Sequence, residues 1–202
     1  QVDARMTLNL FGPAGAILER TSITASTENF FDHNDFWSGS GPFEHELQIM
    51  PSFTFRGGRT LTFMIRNGYF RFQPERYANY AILDEDGSQS PFLAPEALKN
   101  LKAFMVFPRL RITNTFSLNG MYIARETPIF SEASRGFELQ ARPEIQWSPT
   151  DRLELSLDHT FSRISRSPSK SQAVIPNEIY STVHITNIKT QYLFSRALMA
   201  RM

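Results

Sequence analysis

Glu138, Glu144, Glu154 and Asp158 recur near Arg142 and Arg109 in a chain of 202 residues. Two carboxylates a few ångströms apart can divide general-acid and general-base work, as glycoside-cleaving pairs do. Spaced at every second position, the same residues also read as a ladder of charges lining a water-filled channel. The four histidines, His33, His45, His159 and His184, are not spaced as metal pairs, so a girdle or lumen place in strands is the reading for His159 and His184. Asp84-Glu85-Asp86-Gly87-Ser88 resembles the start of a calcium loop, with Asp84 and Asp86 as alternating oxygen donors. The position that should hold a bidentate glutamate is Pro95, so a solvated turn is the simpler reading. There is no cysteine, which excludes a thiolate nucleophile, a disulfide framework and a cysteine-bound zinc. No Gly-x-Ser-x-Gly elbow is present either. The expectation is therefore no enzyme, no cofactor and no metal beyond that weak calcium candidate.

These residues are carried by segments of strict period two. Glu138, Gln140, Arg142, Glu144 and Gln146 alternate with Phe137, Leu139, Ala141, Pro143, Ile145 and Trp147. Leu153, Leu155 and Leu157 then alternate with Glu154, Ser156 and Asp158. Leu47, Ile49, Pro51, Phe53 and Phe55 repeat the pattern, as do Leu61, Phe63 and Ile65 against Thr62, Met64 and Arg66. Phe104, Val106, Pro108, Leu110 and Ile112 form another apolar row, with Arg109, Arg111 and Thr113 opposite. Such alternation predicts strands with one wet and one apolar face.

The runs at 45–55, 60–72, 103–113, 137–147 and 153–163 reach the length of a tilted strand crossing a bilayer. Short links at Gly12–Gly15, Arg56–Arg59, Thr113–Ser117, Ser148–Arg152 and Phe194–Arg196 alternate with long ones at 28–44, 73–101, 126–136 and 166–179. Outer-membrane barrels alternate short periplasmic turns with longer outer loops in this way. Aromatics gather beside the long links: Phe30, Phe31, Phe36, Trp37 and Phe43, then Tyr69, Phe70, Phe72, Tyr77 and Tyr80. They read as an interfacial girdle or, alternatively, as loops packed on a rim. Pro95 to Leu101 carries a helix-start signal and predicts a turn or two of helix.

Composition agrees. Lys and Arg number 21 against 20 Asp and Glu, so no basic excess exists for a general nucleic-acid partner. Eighteen phenylalanines are scattered singly, and no apolar run is long enough for a transmembrane helix. No signal peptide is visible. The six residues from Ala197 to Met202 are too short for a crossing, which predicts an open edge there and at Val2–Leu10, closed by other strands. The alternative is a small barrel in which the first strand pairs with the last.

Phe137–Arg152, Leu153–Arg163 and Thr182–Arg201 carry a resemblance to a known group. The last stretch resembles the closing region of the barrel in domain-of-unknown-function family 5916. Members of that family place a domain similar to family 9 carbohydrate-binding modules before a C-terminal outer-membrane barrel. The resemblance implies barrel and outer membrane, and carries no catalytic residue across.

The expected fold is all-β: an antiparallel transmembrane β-barrel of about ten visible strands, part of a larger barrel. Residues 1–202 form a single domain, truncated at both ends. The lumen would be lined by Glu138, Gln140, Arg142, Glu144, Gln146, Glu154, Asp158, Arg109 and Arg111. Lipid would meet Leu139, Ile145, Trp147, Leu153, Leu155, Leu157, Leu61, Phe63 and Ile65. The expected partners are membrane lipids, lipopolysaccharide and other envelope proteins of a bacterial outer membrane, with no nucleic acid. Arg163, Arg166 and Lys170 could hold lipopolysaccharide phosphates, or simply border a solvated loop. A pore or transport channel for polar solutes is the leading function. A structural barrel that anchors or assembles a surface complex is the alternative, a glycan-related enzyme with a hydrolytic site at the loop rim is third, and a soluble lipocalin-like binder fourth.

Overall fold

A computed structural model describes residues 1–83, 87–167, 178–195 and 198–201. Its strands are β1 (Val2–Phe11), β2 (Leu18–Phe30), β3 (Glu44–Phe55), β4 (Arg59–Arg71), β5 (Ala81–Leu83), β6 (Gln89–Pro91), β7 (Ala97–Arg111), β8 (Phe116–Ile129), β9 (Ser134–Thr150), β10 (Leu153–Arg166), β11 (Ile179–Ser195) and β12 (Leu198–Arg201). A short helix, α1 (His33–Ser38), and 3-10 turns at Pro74–Tyr77 and Phe130–Glu132 complete it. No helix among the described residues is long and apolar enough to cross a membrane.

Ten strands form one sheet in the order β1-β2-β3-β4-β7-β8-β9-β10-β11-β12, and every pairing is antiparallel. β5 and β6 make a separate hairpin within the β4–β7 connection. Strands adjacent in this up-and-down order put all connections of one kind at one end. The links β1–β2, β3–β4, β7–β8 and β9–β10 lie at one end, and those carrying α1, the β5–β6 hairpin and the Phe130–Glu132 turn lie at the other. Gly57 (φ 85°) and Gly58 (φ 75°) make the β3–β4 turn, since two successive left-handed residues match the twist of a tight hairpin.

The strands exceed the lengths expected from alternation: β9 and β11 each run 17 residues, and β7 runs 15. Two expectations fail for the same reason. The helix predicted at Pro95–Leu101 is the start of β7, where Ala97 pairs with Arg71 and Leu98 with Phe70. Asn100 takes a positive φ of 58° beside the bulge between Gly68 and Phe70, which turns Leu98 and Leu101 into a packed cluster. A full ladder and buried leucines outweigh a local helix-start signal. The link predicted over 126–136 shrinks to 130–133, because β8 continues to Ile129 and β9 begins at Ser134.

β1 and β12 are the two ends of the strand order and do not pair with each other. The alternative of a small barrel closed by those two strands is therefore not the arrangement adopted.

Candidate functional site

Register places the charged side chains on one face. Directly opposed pairs run Arg20, Thr54, Thr60, Arg109, Asn119, Glu144, Asp158 and Asn187 from β2 to β11. Opposed residues of neighbouring strands share a face, so all of these project to the same side. Gln140, Arg142 and Gln146 follow from alternation on β9, Arg111 from β7, and Glu154 from β10. The sequence-derived lumen set is thus brought together on one face. Cavities of about 640 and 360 Å³ open on it, so this face is the concave one.

Three ion pairs cross between its strands. Arg66 Nη1 donates to Glu46 Oε1 at 2.7 Å, Arg125 Nε to Glu138 Oε2 at 2.6 Å, and Arg142 Nη2 to Asp158 Oδ2 at 3.2 Å. Gln146 Nε2 donates to Glu144 Oε1 at 3.2 Å. Among the described residues Arg109 and Arg111 have no side-chain acceptor. Glu144 and Asp158 are directly opposed on β9 and β10. Asp158 is committed to an arginine, and no group of three His, Asp or Glu among the described residues could hold a metal. The calcium candidates Asp84 and Asp86 lie outside the described residues, as does Lys170.

The opposite, convex face carries the apolar rows. Ile65 is 58% exposed and Leu139 43%, whereas Glu138, one residue away from Leu139, is only 6% exposed. Leu61, Phe63, Ile145, Trp147, Leu153, Leu155 and Leu157 project to that same face through the pairs Leu61–Phe53, Phe63–Val106, Ile145–Leu157, Leu155–Trp147 and Leu153–Tyr192. A polar strip interrupts the apolar surface on β10 and β11. There His159 and Thr186 are directly opposed, with Nδ1 2.8 Å from Oγ1, and the His184 ring lies 5.9 Å from that of His159. The two histidines therefore stand on the apolar side rather than among the charges.

Sequence reasoning missed one feature of the concave face. Met64 stands in the polar phase of β4, yet it packs with Met105, Met121, Phe107, Ile123 and Ala103 as an apolar patch between the ion pairs. Three alternating strands, β4, β7 and β8, converge to build it, and only the Met64–Met105 and Met105–Ile123 registers reveal the convergence. Scattered methionines in polar-phase positions were the available signal.

At the long-link end, the expected girdle is divided. Phe72 and Tyr77 are buried with Leu98, Leu101 and Ala133, and Phe70 and Phe92 pack on them. The Tyr77 hydroxyl donates to the Phe130 carbonyl at 2.7 Å, and burial raises its phenol above the ordinary 10.0. These aromatics are loop packing, because the β4–β7 connection folds over the concave side. Trp37 and Phe36 are exposed, at 74% and 48%. Arg135, only 4% exposed, ties the rim by donating to the Lys99 and Asn100 carbonyls and pairing with Glu126 at 2.9 Å.

Arg166 is bound by Glu132 through two nitrogens and by Glu178 at 2.6 Å, so of the basic residues proposed for phosphate only Arg163 is exposed and uncommitted among the described residues. Hydrogen bonding from Arg166 holds the Glu132 carboxyl below its ordinary 4.5. A carboxylate with a depressed folded-state pKa stabilises the fold fully above the unfolded value, and that contribution disappears as pH falls through the lower folded value. Unfolding midpoints in urea should therefore show an advantage of the native chain over Glu132→Gln at pH 6 that vanishes well below pH 4.5. An advantage that persisted in acid would break the assignment.

No family model matches the chain, and no curated protein or solved structure matches it.

Proposed function

We propose that this sheet belongs to the wall of a bacterial outer-membrane β-barrel and that its concave face lines a pore for polar solutes. The observation that carries the reading is the inversion of burial: large apolar side chains are exposed on the convex face while Glu138, Ser26 and Thr24 are shielded on the other. A water-soluble sheet gains by the reverse arrangement, and apolar surroundings such as a bilayer make this one favourable. In the ten-stranded sheet the eight strands between β1 and β12 run 12 to 17 residues and have the reach to cross it. The reading requires both edges of the sheet to be paired within the bilayer, since an unpaired strand edge is prohibitive in hydrocarbon. It accords with the resemblance to family 5916 and with lipid and lipopolysaccharide as surroundings.

Reconstitution of the full chain in planar bilayers tests it. Discrete conductance steps are expected, with the preference shifting toward cations when Arg109 is replaced by glutamate. Protein that is folded and protease-protected in vesicles yet never conducts would remove the pore. It would leave the second reading, an anchoring barrel, which the His159–Thr186 strip on the convex face supports as a contact for another envelope protein.

A further inference from the structure

We infer that the concave-face cavity of about 640 Å³ binds a small monocarboxylate with an apolar body; this deepens the pore reading by naming a solute class. The cavity, about 640 Å³, lies in the range of sites for small organic molecules. Two guanidiniums line it, Arg109 from β7 and Arg142 from β9. One strand separates these two, so their backbones are roughly 10 Å apart and long side chains can meet over the intervening space. Arg109 has no acceptor among the described residues, and Arg142 is 55% exposed with a single 3.2 Å contact to Asp158. Both are therefore able to turn to an incoming carboxylate, whose planar oxygens match a guanidinium fork.

The remaining walls select the rest of the ligand. Phe107 and Met121 give the cavity an apolar floor that is continuous with buried Met105 and Ile123. Such a floor gains nothing from water, whereas it gains from a hydrocarbon body laid across it. Glu144 lines the same cavity, and its charge opposes a second carboxylate on the ligand. One anionic head and one apolar body is the chemistry that satisfies all four walls.

Isothermal titration calorimetry on the full chain in maltoside micelles would use 3-phenylpropionate as the probe. Its neutral analogue 3-phenylpropanol and the bodiless acetate serve as comparisons. Saturable binding of phenylpropionate is expected, at least about tenfold tighter than either comparison, as loss of a charged hydrogen bond or of apolar burial implies. Arg109→Gln should weaken it about tenfold and Arg109→Lys less, while Arg111→Gln, outside this cavity, should leave it unchanged. Equal binding of the alcohol, which would be partition into micelle or floor alone, overturns the proposal. So does full affinity in Arg109→Gln. Binding without conductance would remove the pore and keep the site; conductance without binding would remove the site alone.

Discussion

Replacing Arg125 with leucine should destabilise the fold by about 3–4 kcal/mol, the lower part of the range for breaking a buried ion pair. The lower part applies because the Arg125 side chain keeps 32% exposure, while that of Glu138 keeps only 8%. Glu138 accepts from Arg125 Nε at 2.6 Å and from the Ser162 hydroxyl at 3.2 Å. With the guanidinium gone, one hydroxyl, that of Ser162, is left to satisfy a carboxylate that is 8% exposed. The second substitution Glu138→Gln in the same chain should recover most of the loss, because an amide costs far less to bury than a charge. Urea titrations of the native chain, the single variant and the double variant in phospholipid vesicles give the three midpoints. A loss below about 0.5 kcal/mol for Arg125→Leu, the level of an ordinary surface change, would mean that water reaches Glu138 freely.

Arginine at position 65 separates a membrane wall from a soluble sheet. Ile65 lies at the middle of β4, 58% exposed on the convex face, with Ile49 and Phe104 directly opposite on the two neighbouring strands. In hydrocarbon at that depth an arginine costs about 2–4 kcal/mol. On a surface facing water the same change stays within about 0.5 kcal/mol. Thr62→Arg, on the cavity wall of the same strand, supplies the comparison and should be tolerated far better. Folding in vesicles, followed by urea midpoint, is the measurement. Equal, small effects at both positions would sink the membrane reading.

Alternation was legible in residues alone because a strand's two faces follow from a period of two, which needs no knowledge of neighbours. Glu138 to Gln146 on one side and Phe137 to Trp147 on the other could therefore be separated before any register was known. Leu98 and Leu101 show where such reasoning ends. Their local signal is that of a helix start, and the register with Gly68 and Phe70 on β4 overrides it. The methionine patch was hidden for a related reason. Met64, Met105 and Met121 are far apart in the chain and become one surface only when β4, β7 and β8 are laid side by side.

Charge partners divide in the same way. That Arg142 and Asp158 share a phase was visible; that Arg125 takes Glu138 while Arg109 remains without an acceptor among the described residues depends on inter-strand register. Alternation also left open which face is enclosed, since a lipocalin-like sheet and a membrane wall share the same period. By itself, then, the sequence determined the strands, their phase and the grouping of charges, all local consequences of side-chain spacing. The tertiary structure decided that the charged face is the concave one and which arginines stay available on it, because curvature and pairing arise only from strands distant in the chain.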